Sequence, residues 1–238
     1  VPAEYPTILA TSMGFNRARE PWQPSPVFRY TFQLAGNPSR PKLCFISTGT
    51  GDDRASIYAF YAAFAGKEVE ASHLALFDKP NVPDVSEHLF RQDVIWVDRG
   101  SLVNLLAVWR AHGLDAVLRE CWQRGIVLGG ESAGSACWFD GGTTDSFGDL
   151  RPFVDGLGFL PFSNAVHYGD RREHFRECVA SGVLADGFAT DAGVGLHFSG
   201  REFLTAISDR NNAKAYKISR RSDGTVAEEP LEVNRLKR

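Results

Sequence analysis

Short runs of consecutive apolar residues alternate along this chain with segments whose apolar positions recur every three or four residues. That is the pattern of a parallel sheet covered by helices on both faces. Residues 7–12, 42–48, 69–77, 93–97 and 126–129 form the apolar runs and predict buried strands. Between them, residues 53–66 open on an Asp cap, carry Ile57, Phe60, Tyr61 and Phe64 at helical spacing and stop at Gly66, which predicts a helix. Residues 102–110 and 115–124 repeat the logic on either side of His112-Gly113. Beyond about residue 185 the texture changes to short strands at 187–191, 194–198, 203–208 and 213–219, read as a C-terminal β-meander. The basic end NRLKR reads as a frayed, solvated tail. No linker or repeat interrupts the pattern, so residues 1–238 are expected to form one α/β domain.

Composition narrows the function classes. The 238 residues are 43% hydrophobic and 23% charged, with 26 basic and 29 acidic side chains and a formal net charge of −3. A chain of this length buries roughly 70 to 75% of its unfolded surface, so neither disulfides nor a structural metal are required. Without a Lys/Arg run or a basic excess there is no nucleic-acid footprint. No apolar stretch approaches the roughly 20 residues that cross a bilayer, and the opening VPAEYPTILATSMGF lacks the basic start of a secretory signal. The expected location is cytoplasmic. Cys44, Cys121, Cys137 and Cys178 are scattered in apolar surroundings without CxxC spacing and read as buried thiols. The six histidines show no HExxH or HxH pattern, so no metal is expected.

One segment carries chemistry. In IVLGGESAGSACWF, Gly130-Glu131-Ser132-Ala133-Gly134 follows a short apolar strand and precedes small residues able to start a helix. This is the layout of a nucleophile elbow, in which a strained strand-to-helix turn raises a serine hydroxyl above the sheet edge. The next amide, of Ala133, then points to where an oxyanion would develop. A serine needs a base. His73 and His112 sit in strand and helix-end patterns, His88 on a short polar helix and His197 in an alternating strand. His167, in SNAVHYGD, follows a short apolar strand at its carboxyl end, where α/β enzymes place their sites, and is the candidate base. No HGGG-type loop precedes the elbow, as an α/β-hydrolase would require. Val97-Asp98-Arg99-Gly100-Ser101 does, directly after a strand, with Gly100 allowing close backbone approach as a second oxyanion donor.

The strings CFISTGTGD, GGESAGSACWF, GLGFLPFSNAVHYGD and TDAGVGLHFSG, in that order over roughly residues 40 to 220, resemble the peptidase E or aspartyl dipeptidase family, serine peptidases of clan PC (family S51). The resemblance implies a flavodoxin-like fold similar to class I glutamine amidotransferases, with serine in place of their cysteine. It also implies hydrolysis of small peptides, foremost dipeptides with an N-terminal aspartate, without a cofactor. Ser132 matches the family's nucleophile, His167 its base and Gly100 the last glycine of its GGGNT oxyanion loop. Arg172, in GDRREHFRE, matches an arginine suited to bind the substrate's acidic side chain through a bidentate fork. A homodimer is compatible with this scaffold.

Two departures stand out. The oxyanion loop reads Asp98-Arg99-Gly100-Ser101-Leu102, so two glycines and the Asn-Thr pair are replaced. The family's acidic residue before a glycine aligns with Ala192, which leaves Asp191, or second Asp145 in GGTTDSFGD, to orient His167. Two other readings share the scaffold: a cyanophycinase-like peptidase or esterase, and a catalytically weakened relative that binds peptides.

Overall fold

The computed structural model describes residues 3–237. In its first half, β1 (Thr7–Thr11), the hairpin strands β2 (Phe15–Asn16) and β3 (Gln23–Pro24), α1 (Pro26–Leu34), β4 (Lys42–Ile46), α2 (Arg54–Phe64) and β5 (Glu70–Leu74) are followed by α3 (Val85–Phe90), β6 (Val94–Val97), α4 (Leu102–Ala111) and α5 (Leu114–Gln123). The second half contains β7 (Val127–Glu131), α6 (Ala133–Ala136), β8 (Phe139–Phe147), β9 (Asp149–Phe153), β10 (Leu160–Val166), α7 (Tyr168–Ala180) and β11 (Gly187–Thr190). The chain finishes with β12 (Val194–Ser199), β13 (Glu202–Ser208), β14 (Ala215–Arg220), β15 (Val226–Leu231) and β16 (Val233–Arg235).

Eight strands form one sheet in the order β16-β13-β12-β1-β7-β6-β4-β5. The five strands from β1 through β7, β6 and β4 to the edge strand β5 are parallel. The predicted strands lie here, and β1, β4, β6 and β7 are buried on both faces, whereas the edge strand β5 is only partly buried. In β4, Leu43 and Phe45 join the core under α1 and α2, whereas Cys44 and Ile46 face the core that includes α4 and α5. In β6, Val94 and Trp96 divide from Ile95 and Val97 in the same way. Helix α2 begins where Asp53 accepts a 2.9 Å hydrogen bond from the Ser56 amide, as its sequence predicts.

The expected single meander is two hairpins in different sheets. Strands β12 and β13 extend the first sheet antiparallel to β1, while β11 and β14 belong to a second sheet of order β15-β14-β11-β10-β8-β9. Phe188 of β11 packs edge-on against Phe198 of β12 at 5.4 Å, so the two sheets share one apolar core, and α7 covers the second sheet's other face. Adjacent runs in sequence thus diverge in space because their turns at residues 191–193 and 209–214 carry the chain from one sheet to the other. The basic end is also more ordered than a frayed tail. Strand β16 pairs with β13, and the Leu236 amide donates to Ser208 at 2.8 Å; Arg238 lies outside the described residues. No helix among the described residues is long and apolar enough to cross a membrane.

Candidate active site

The connection after β1 leads to α1 on one face of the large sheet, whereas the connection after the adjacent β7 leads to α6 on the other. A crevice opens between parallel strands where their connections part in this way, at the strands' carboxyl ends. Ser132 occupies that point. Its amide donates to Thr11 of β1 at 2.9 Å, and its backbone has φ 57° and ψ −108°. A non-glycine residue there stores of order 1–3 kcal/mol of strain. The flanking glycines are required by β6: a Cβ on Gly130 would stand 2.5 Å from the Gly134 carbonyl oxygen and 2.6 Å from that of Val97, and one on Gly134 would overlap Val97 too. The GxSxG pattern is therefore the imprint of a tight turn pressed against the neighbouring strand. Ala133 is the first residue of α6, so its amide lacks an acceptor within the helix.

His167 reaches the same place from the second sheet. It ends β10, adopts the left-handed conformation (φ 56°, ψ 49°) and caps α7. The two sheets are tied beneath the site by Ser135 of α6, which donates to Asn164 of β10 at 3.3 Å; Asn164 in turn donates to the Phe188 carbonyl at 3.2 Å. Ser132 and His167 line one cavity of about 570 Å³ together with Ser12, Gly14, Arg17, Arg99 and Arg210. No hydrogen bond joins the two in this conformation. Burial, and then the Arg171 guanidinium, push the His167 imidazole below its ordinary value, against the opposing charges of Asp170, Asp145 and Glu131. Both effects favour the neutral imidazole, the form a base needs.

The two candidate orienting acids are placed differently. Asp191 follows β11 one residue past Thr190, which pairs with Val166, so its backbone neighbours that of His167. Its carboxylate, however, accepts from the Lys214 amide at 3.0 Å. Asp145, on β8, acts on the imidazole, and pairs with Arg171 at 3.1 Å. Arg171 also donates to the Thr143 carbonyl at 2.8 Å.

Gly100 has φ 126°, and a Cβ there would overlap the Gly49 carbonyl, so the retained glycine of the altered loop is sterically obligatory. Arg172 lies apart from this cavity. Its side chain is 55% exposed, binds Glu228 together with Arg176, and does not line the cavity of Ser132. The cause is helical geometry: Arg171 stands four residues after His167 and shares its face, while Arg172 is turned a further 100°. The i, i+4 spacing in the sequence could have picked Arg171. The cavity's cations are instead Arg17, Arg99 and Arg210. Arg99 and Arg210 are exposed, and among the described residues their guanidinium groups have no hydrogen bond or ion pair. Nothing in the sequence alone singles these out, since they come from loops after β6 and β13. None of the other five histidines lines this cavity: His73 bonds Tyr61 at 2.8 Å, His197 bonds Tyr30 at 3.0 Å, His88 lies against Cys44, His112 ends α4 and His174 lies against Cys178. All four cysteines are free and buried, and the described residues hold no cluster suited to a metal.

The model of peptidase family S51 matches residues 9–206. The uncharacterized peptidase YgaJ of Bacillus subtilis (strain 168) is 40% identical over 200 residues, 83% of this chain and 86% of its own. Among solved structures, a peptidase from an acI-B1 actinobacterium is similar with a TM-score of 0.65 at 17% identity, over 96% of this chain and 95% of that one. A peptidase E protein from Listeria monocytogenes EGD-e gives 0.60 at 18% identity, over 83% and 96%. These two establish the flavodoxin-like fold.

Proposed function

The chain belongs to peptidase family S51 and is a peptidase; from that premise we propose that it is a serine peptidase hydrolysing small peptides, foremost dipeptides with an N-terminal aspartate, through an acyl-enzyme on Ser132. The observation that carries this reading is the strained Ser132 elbow opening into a cavity shared with His167, whose burial favours the neutral imidazole, and with the exposed guanidinium groups of Arg99 and Arg210. His167 takes the Ser132 proton as the hydroxyl oxygen attacks the peptide carbonyl. The amides of Ala133 and Gly100 hold the oxyanion. The protonated imidazole gives its proton to the leaving amine, and water, deprotonated by the same imidazole, releases the acyl group. Asp145 is preferred over Asp191 as the acid that orients His167, because its charge acts on the imidazole while Asp191 is engaged with the Lys214 amide.

Specificity is assigned to Arg99 and Arg210 in place of Arg172. A substrate carboxylate entering the cavity meets the exposed guanidinium groups of Arg99 and Arg210, which carry no hydrogen bond or ion pair among the described residues. Arg99 stands where the family's loop has glycine, so the departure that would weaken a donor loop supplies a cation instead.

A panel of X-Leu dipeptides tests the assignment with wild type, Ser132→Ala, Arg99→Met and Arg210→Met. Asp-Leu cleavage is expected to vanish in Ser132→Ala. At least one arginine variant is expected to raise KM for Asp-Leu but not for Ala-Leu. A charge-assisted hydrogen bond of about 1.5–3 kcal/mol corresponds to roughly 10- to 150-fold. Ester cleavage alone would identify an esterase, and binding without turnover a weakened relative. Equal losses on both dipeptides would remove the arginines from specificity.

A further inference from the structure

The β6–β7 register pairs Val97 with Gly130, so the next residues, Asp98 and Glu131, fall side by side at the sheet's carboxyl edge. Both are buried, at 1% and 6% exposure. They have the same parity as Trp96 and Val127, which belong to the core under α1 and α2, so the two carboxylates leave the sheet on one face. Like charges placed directly opposite in adjacent strands repel, and burial sharpens the conflict. Burial and the Glu131 carboxylate push Asp98 up to about 7, against the pull of Arg17.

Arg17, in the turn between β2 and β3, resolves the conflict. A single terminal nitrogen, Nη2, pairs with Asp98 Oδ1 at 2.5 Å and with Glu131 Oε1. The guanidinium is seated over the Trp22 ring at 4.7 Å and that of Phe15 at 5.7 Å, which fixes the direction from which it arrives. Glu131 can adopt this position only because residue 14 is glycine: a Cβ there would collide with its carboxylate. The pairing has a consequence for the chemistry. Asp98 immediately precedes Arg99-Gly100, and Glu131 immediately precedes Ser132-Ala133.

We propose that Arg17 is a positioning residue that locks the two oxyanion-donor loops at their working separation by bridging Asp98 and Glu131. The inference rests on the assignment of Ser132, Ala133 and Gly100 given above. Although Arg17 borders the cavity, its Nη2 is taken up by the two carboxylates, so it acts through them, and removing it should slow the chemical step and leave substrate affinity nearly unchanged. Displacing catalytic groups by about 1 Å costs roughly 100-fold in rate.

The test compares kcat and KM for Asp-Leu, and fluorophosphonate labelling of Ser132, in wild type, Arg17→Met, and Arg17→Met combined with Asp98→Asn and Glu131→Gln. Arg17→Met is expected to lower kcat and the labelling rate by roughly 10- to 100-fold with KM within about twofold. Neutralising both carboxylates in the same chain is expected to recover most of the loss, because the repulsion Arg17 opposes is then gone. Should Arg17→Met not yield folded protein, Arg17→Lys keeps the charge on a shorter side chain without the planar group seated over Trp22 and is expected to show a smaller fall in kcat, again at constant KM. A rise in KM without a fall in kcat, or no recovery in the triple variant, overturns the proposal. Failure of the underlying assignment looks different: wild type would not be labelled at Ser132 and Ser132→Ala would still turn over, which removes the role of the bridge along with the site.

Discussion

Replacing Gly130 by alanine adds one methyl group at the most crowded point of the elbow. The backbone torsions of Gly130 suit any residue, so the effect is steric and not conformational. The new Cβ would stand 2.5 Å from the Gly134 carbonyl oxygen and 2.6 Å from that of Val97. Both atoms are backbone, one in the first turn of α6 and the other at the end of β6, so neither can swing aside. Opening the closer contact from 2.5 Å to 3.0 Å requires a shift of about 0.5 Å, and Ser132 lies between the two glycines that must separate. Overpacking of this kind costs about 1–3 kcal/mol. For a chain of this size that is a fall in Tm of roughly 2–12 °C. The rate should suffer more than the stability, because half an ångström at the nucleophile accounts for roughly 10-fold in kcat, on a scale where 1 Å costs about 100-fold. The comparison is Gly169→Ala near the start of α7, where an added Cβ meets nothing within 4 Å and alanine favours the helix. Thermal melts and kcat for Asp-Leu on both variants decide the matter. If Gly130→Ala keeps wild-type kcat and Tm, the elbow is not held against β6 as argued and the strain at Ser132 has another origin.

Other predictions concern the base and its partners. The acid limb of kcat/KM should have its midpoint below 6.5, since His167 must be neutral to act and its folded-state value is depressed by burial and by Arg171. Arg171→Met should move that limb to higher pH, and an unmoved limb or a wild-type midpoint above 6.5 would contradict the electrostatics. Asp145→Asn is expected to lower kcat by up to about 10⁴-fold through the wrong imidazole tautomer. Asp191→Asn, whose amide oxygen can still accept from Lys214, should change kcat little. The reverse pattern would restore Asp191, and two inert variants would leave His167 working with Ser132 alone.

Much of this protein is legible in its sequence because the relevant physics is local. Strands buried on both faces must be continuously apolar, which marks β1, β4, β6 and β7 in the sequence with ends displaced by at most two residues, while the partly buried edge strand β5 ends three residues earlier than its apolar run. Asp53 announced the start of α2 because a cap needs only its own side chain and the amides that follow. The elbow was visible because Gly130 and Gly134 record a close approach of β6 that no larger residue allows. His167 could be chosen because it follows an apolar strand, and it does line the cavity of Ser132.

What tertiary structure alone decided involves partners distant in the chain. The short strands after residue 186 have the same alternation whichever sheet they join, so only packing around Phe188 and Phe198 sorts them. Arg172 matched a motif, yet helix phase turned it to Glu228 and placed Arg171 beside the base. Asp145 and Asp191 are both engaged, with Arg171 and with the Lys214 amide, and only the folded chain brings the charge of Asp145 to bear on His167. Arg17, Asp98 and Glu131 are unremarkable charges when read singly. They become one unit because a hairpin, β6 and β7 converge on a buried point where two carboxylates cannot remain adjacent without a cation between them.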